Sequence, residues 1–143
     1  MMITFSSDTL ARIAESDDLH VSPFRGDGTT YGTPTWIWSV VVDDALFVRA
    51  YNGTASRWYQ AAMQQGAGRI SADGAEHEVT FRAAAGEADA EIDAAYRLKY
   101  SGSPYLRPML TASTVAATVE IRPRPGGAPS SRNQDGRPGS NVD

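Results

Sequence analysis

Two acidic turns constrain this chain more than anything else in it. Asp43-Asp44 stands between apolar stretches at 35–42 and 45–50, and Asp73-Gly74 between 68–72 and 75–83. Two residues between strand patterns leave room only for a tight hairpin, so each pair runs antiparallel. Within 35–42, Trp36, Trp38, Val40 and Val42 fall on one face and Ile37 and Val41 on the other. Apolar residues on both faces predict a central strand covered on both sides. In 75–83, His77, Val79 and Phe81 share one face, and Glu76, Glu78 and Thr80 the other. Residues 19–24 read as a further strand that Pro23 marks as an edge or an end. Val115, Ala117, Val119 and Ile121 alternate as a last strand.

Helix signals punctuate these strands. Ser6-Ser7-Asp8 precedes Leu10, Ile13 and Ala14, a cap followed by an apolar stripe. A second helix runs from Ser56 to Gln65 and stops at Gly66. A third covers 88–100, with Ile92, Ala95 and Tyr96 as its stripe and Asp93 four residues before Arg97. The order α-β-β-β-α-β-β-α-β, connected by hairpins, predicts a mainly β fold. Its core is an antiparallel sheet of six strands, closed or half-closed into a barrel, with three helices outside.

The chain has 143 residues, enough for one domain with one sizeable core. Residues 123–143 hold four Pro, four Gly and three Ser, with Ala128 and Val142 as the apolar residues. Such a segment buries too little surface to offset its ordering entropy, so a disordered tail is expected there and a folded unit over 1–122. The net charge of -4 argues against a nucleic-acid partner. There is no cysteine, which excludes disulfides, thiolate metal sites and a cysteine nucleophile. His20 and His77 have no metal-ligand spacing, so no metal is expected. No apolar run has the length of a membrane helix, and no basic-then-apolar leader opens the chain. A cytoplasmic protein with no membrane partner is the expectation.

One stretch brings residue types and element boundaries together on chemistry. After the strand pattern at 45–50 comes Tyr51-Asn52-Gly53-Thr54-Ala55-Ser56-Arg57-Trp58, which opens the second helix. A polar loop leading into a helix start presents free backbone N–H groups to an anion, and an arginine in the first turn adds a charged fork. Asn52, Ser56 and Arg57 are the leading candidates; an N-capping serine beside a surface arginine is the plainer alternative. Arg49 and Arg69, on strands flanking this helix, are candidates to add charge, or else structural ion pairs. Trp36, Trp38 and Trp58 offer planar surfaces for a ring or for the core. Tyr96, Lys99 and Tyr100 share one helix region and either line a pocket or pack, with the lysine snorkelling.

These residues carry a resemblance. Tyr51-Asn52, a short spacer and Ser56-Arg57 resemble the Thr-Asn-Tyr-x-Ser-Arg-Lys-like stretch of the FMN-binding split-barrel superfamily, typified by pyridoxamine-phosphate oxidases. Residues 66–70 and 71–81 resemble the strands that follow it. From about Phe5 to Arg122 the chain also resembles an uncharacterised bacterial domain-of-unknown-function family of that superfamily. The resembling marks are residues 34–38, Phe47-Val48-Arg49, Gly53, Trp58, Gly68-Arg69-Ile70 and residues 92–100. The resemblance implies a split β-barrel, a homodimer, and a flavin phosphate held by Asn52, Ser56 and Arg57 with help from Arg49. Trp58 stands where the oxidases have Lys, and deazaflavin-dependent reductases share the fold and vary this clamp. It therefore implies FMN or a deazaflavin as cofactor, with Trp58 beside it. Trp36, Trp38, Tyr96, Lys99 and Tyr100 would shape a pocket for a small organic substrate. The function so implied is a flavin- or deazaflavin-dependent oxidoreductase. The alternative is the same barrel as a redox-silent binding module for a small apolar or anionic ligand.

Overall fold

The structure, a computed structural model, describes residues 5–124. Helix α1 (Ser7–Glu15) begins where expected, with the Ser6 hydroxyl accepting from the Thr9 amide. The strands are β1 (His20–Pro23), β2 (Thr35–Trp36), β3 (Ser39–Val42), β4 (Ala45–Arg49), β5 (Ala67–Ala72), β6 (Ala75–Ala83) and β7 (Thr118–Pro123). The remaining helices are α2 (Arg57–Gln65), α3 (Asp89–Lys99) and α4 (Ala112–Ala116), with single 3-10 turns at Gly53–Ala55 and Arg107–Leu110. Both acidic turns form as expected. Asp43 and Asp44 have φ of 51° and 64°, and Asp73 and Gly74 have 52° and 76°, the positive pairs of a primed hairpin turn.

All pairings are antiparallel, in the order β2-β1-β5-β6-β7-β4-β3. This order dictates the shape. β2 and β3 are opposite edges of the sheet, yet only Ile37 and Trp38 separate them in the chain. Three peptide steps reach at most about 11 Å, whereas seven strands laid flat at ~4.8 Å spacing would set the edges about 29 Å apart. The sheet must curl until its edges meet at that link, and it is an antiparallel half-barrel with helices around it.

Two expectations are corrected here. Residues 35–42 form two edge strands instead of one central strand, giving seven strands in place of six. The chain breaks because side chains of α3 and of Tyr100, which caps it, take over the backbone groups a neighbouring strand would satisfy. The Tyr96 hydroxyl donates to the Trp38 carbonyl (3.2 Å) and the Lys99 ammonium to the Ser39 carbonyl (2.7 Å). The Tyr100 hydroxyl donates to the Ser39 carbonyl (3.2 Å) and accepts from the Ser39 amide (3.1 Å). The second correction is a fourth helix: Val115 lies in α4 and Ala117 closes it, so the last strand starts only at Thr118. The Thr114 hydroxyl ties that single turn to the Thr111 and Pro108 carbonyls. The expected tail lies outside the described residues except for Pro123 and Arg124. Pro123 pairs with Val79, and the Arg124 amide donates to the Glu78 carbonyl.

Strand alternation sorts the core into two layers. Leu46 and Val48 of β4 face a layer with Ile13, Val21, Ile70, Val79, Val119, Ile121, Trp58 and Ala62. Phe47 points the other way, to Val40, Ile92, Tyr96, Tyr100 and Met109 under α3. Arg49, two residues on from Phe47, follows it to the α3 side.

Candidate functional site

A cleft of about 610 Å³ opens beside the N-terminus of α2. It falls within the ~300–1,000 Å³ range of small-molecule sites. One wall comes from the edge link: Thr35, Trp36, Ile37 and Trp38. The loop after β4 supplies Tyr51 and Asn52, the start of α2 supplies Ser56, Arg57 and Trp58, and Arg49, Tyr105 and Met109 complete the lining. All five residues expected to bind a cofactor (Arg49, Asn52, Ser56, Arg57, Trp58) therefore border one cavity, together with Trp36 and Trp38 from the expected substrate pocket. Tyr96, Lys99 and Tyr100 do not border it.

The loop into α2 is shaped locally. Gly53 has φ of 71°, and an added Cβ would lie 3.2 Å from the Ser113 carbonyl oxygen on α4, so both conformation and space favour glycine. The Ser56 amide donates to the Gly53 carbonyl, and the Gln60 amide donates to the Ser56 carbonyl as the first bond of the helix. Ser56 occupies the cap position, but its hydroxyl makes no cap hydrogen bond. The amides of Arg57, Trp58 and Tyr59 in the first turn thus have no acceptor within the helix, and they carry the positive end of its dipole. Arg57 is exposed, with no ion pair or side-chain hydrogen bond among the described residues. Ser56 is 8% and Trp58 9% exposed; the latter lines the cleft while packing into the core. Asn52 is exposed at the rim.

Arg49 behaves in the opposite way. It is fully buried, and its guanidinium reaches Asp93 Oδ1 at 2.5 Å, Thr118 Oγ1 at 3.1 Å and the carbonyls of Met109 (3.2 Å) and Asp89 (3.4 Å). Its charge is neutralised inside the fold. Arg69, the other arginine expected to add charge, is outside the cleft. It lies 3.7 Å over the Tyr31 ring and pairs with Glu76 and Glu78.

Tyr96, Lys99 and Tyr100 have the packing role. Burial raises the Tyr96 hydroxyl pKa, pushes that of Tyr100 up to about 12 and lowers Lys99 to about 8. Tyr100 carries Trp38 flat on its ring, with centroids 3.9 Å apart. Sequence reasoning missed two cleft residues, Tyr51 and Tyr105, which are 50% and 60% exposed and meet edge to face at 6.4 Å across the mouth. Tyr51 sat within the stretch already singled out, whereas no periodic signal marks Tyr105.

The lining residues include no Asp, Glu, His or Lys. Such a lining offers no side-chain carboxylate or imidazole for proton transfer. Among the described residues no three His, Cys, Asp or Glu side chains are grouped to hold a metal ion. No described helix is long and apolar enough to cross a membrane.

A family model described as an uncharacterised protein conserved in bacteria matches residues 9–121. No curated protein matches the chain. Among solved structures, the chain is similar to a conserved hypothetical protein from Mycobacterium tuberculosis. The two share 18% identity with a TM-score of 0.55, over 84% of this chain and 80% of that one. At that identity the likeness is one of fold.

Proposed function

The chain belongs to this bacterial family, DUF2255, and from that premise we propose that it binds a flavin or deazaflavin in the cleft beside α2 and acts as an oxidoreductase on a small organic molecule. The observation that carries the reading is that three uncommitted donor sets belong to the helix start that borders an aromatic cavity. They are the first-turn amides of α2, the Ser56 hydroxyl and the Arg57 guanidinium. These groups suit a phosphate, and Trp36, Trp38, Tyr51 and Tyr105 suit the flat body of the same molecule. A bound flavin or deazaflavin would supply hydride chemistry that the lining residues lack. The protein's part is to grip the phosphate with Arg57 and Ser56, place Asn52 at the rim and shield the ring with its aromatic wall. The half-barrel is read as the split barrel of the FMN-binding superfamily, working as a homodimer.

Titration calorimetry with FMN and with a deazaflavin tests this. Arg57→Ala should weaken binding by about 1.5–3 kcal/mol, the scale of a charge-assisted hydrogen bond. Unchanged affinity would remove Arg57 from the site. A second reading, a binding module without redox chemistry, is favoured by one observation. Arg57 is the single uncommitted cation among the described residues lining the cleft, because Trp58 stands in the place of a second. A thermal shift with a non-redox anionic metabolite, and none with any flavin, would select it.

A further inference from the structure

Trp38 is fixed before any ligand arrives. Its indole lies on the Tyr100 ring at 3.9 Å between centroids, with planes 2° from parallel. Tyr100 is buried and borders no part of the cleft, whereas Trp38 is half-buried and lines it. With one ring face covered by Tyr100, what is left of Trp38 to meet the cleft is its other face and its edges. The backbone beneath is pinned as well. The Trp38 carbonyl accepts from Tyr96, the Ser39 amide and carbonyl meet Tyr100, and the Ser39 carbonyl also accepts from Lys99. Behind them Tyr96 stacks on Tyr100 at 5.9 Å, and the Arg49 guanidinium sits 5.4 Å over Tyr96.

The other aromatic groups of the cleft are placed differently. Trp58 is buried in the core, and Tyr51 and Tyr105 are exposed at the mouth. Trp36 is 55% exposed, with its indole N–H held by the Asp17 carbonyl. Trp38 alone of these both stacks parallel on a buried ring and borders the cavity. A ring whose rotamer is already locked loses little freedom on binding and offers a preorganised stacking surface.

We propose that this face of Trp38 is the ring-stacking subsite of the cleft, with Tyr100, Tyr96 and Lys99 as its positioning residues. The inference rests on the reading that a planar anion binds here, and it sharpens the ligand class. The ligand has one flat aromatic ring system that lies parallel to the indole. It is joined to a single anionic group held at Arg57, since Arg49 is already neutralised by Asp93.

Three probes separate the two ends of the site: FMN with ring and phosphate, riboflavin with the ring alone, and inorganic phosphate. Each is titrated by calorimetry into wild type, Trp38→Leu, Trp38→Phe and Arg57→Ala, with flavin emission followed in parallel. In wild type, FMN should bind with its emission quenched by the stacked indole. Trp38→Leu should weaken FMN and riboflavin at least tenfold, restore the emission of bound FMN and leave phosphate binding unchanged. Trp38→Phe, which keeps a ring, should fall between. Arg57→Ala should weaken FMN and phosphate and spare riboflavin. If FMN binds in an Arg57-dependent way but with equal affinity and quenching in both Trp38 variants, the stacking subsite is overturned and the phosphate site stands. If wild type binds neither FMN nor riboflavin, and a deazaflavin titrated in the same way also fails to bind, both fall.

Discussion

Arg49 and Arg57 border the same cleft eight residues apart, and they have opposite fates. Arg49 ends β4 with its side chain turned in under α3, where four partners surround it and no surface remains exposed. Arg57 sits on the wall built from α2, exposed and without a partner among the described residues. The same contrast holds for neighbouring polar groups. The hydroxyls of Tyr96 and Tyr100 and the Lys99 ammonium are committed to the backbone of residues 38–39, and Lys99 also reaches the Ile13 carbonyl at 3.3 Å. The Ser56 hydroxyl and the first amides of α2 are left open. One wall holds the fold together, and the other is available to a ligand. Residue type does not separate them; what separates them is whether the fold has already taken up the donors.

The contrast has a large consequence for stability. Arg49→Met would leave the half-buried Asp93 carboxylate, Thr118 and the Met109 carbonyl without their partner. It should lower the unfolding free energy by about 3 kcal/mol, the low end for breaking a buried pair. Arg57→Ala should move it by less than about 0.5 kcal/mol. Urea unfolding of both variants checks this, and comparable losses would erase the distinction between the walls. Tyr100→Phe keeps the stacked ring but leaves the buried Ser39 amide unpaired, so a loss of about 1–2 kcal/mol is expected. A cost near zero would mean that the tyrosine hydroxyl does not hold the strand break.

The committed groups also set a pH dependence. Burial lowers Lys99 from its ordinary 10.5 to about 8, so between these values the unfolded chain binds more protons than the folded one. Stability should therefore rise as pH increases from about 8. Tyr100 acts in the opposite sense. Its hydroxyl is raised from 10.0 to about 12, so its contribution is complete below pH 10 and is lost above it. Lys99→Met should flatten the rise between pH 8 and 10 in a series of urea titrations and leave the fall above pH 10. A wild-type profile without the rise would place the Lys99 ammonium in water instead of against the Ser39 carbonyl.

What was legible in the sequence was what is decided locally. Asp43-Asp44 and Asp73-Gly74 fix their hairpins within a few residues, and Gly66 ends α2 in the left-handed conformation at φ 70°. The loop into α2 was recognisable for the same reason, since Asn52, Ser56, Arg57 and Trp58 are near neighbours. The break at Ile37-Trp38 was not legible, because its cause lies about 60 residues away on α3. An apolar pattern on both faces of 35–42 fits a central strand, and here it arises from a link that passes from one sheet edge to the other. For Tyr96, Lys99 and Tyr100 the sequence leaves pocket lining and packing both open, because their shared helix region is visible and their backbone acceptors are not. Val115 and Ala117 fitted strand alternation because a helix of five residues is too short to reveal its own period.

The most direct test is gel filtration of the protein with excess FMN, and separately with a deazaflavin, followed by a visible absorption spectrum of the protein peak. A flavin or deazaflavin band should travel with wild type and with Arg49→Lys, and be lost with Arg57→Ala. A protein peak without either band, or a band retained equally by Arg57→Ala, would contradict the assignment of the open wall to a phosphate-bearing cofactor.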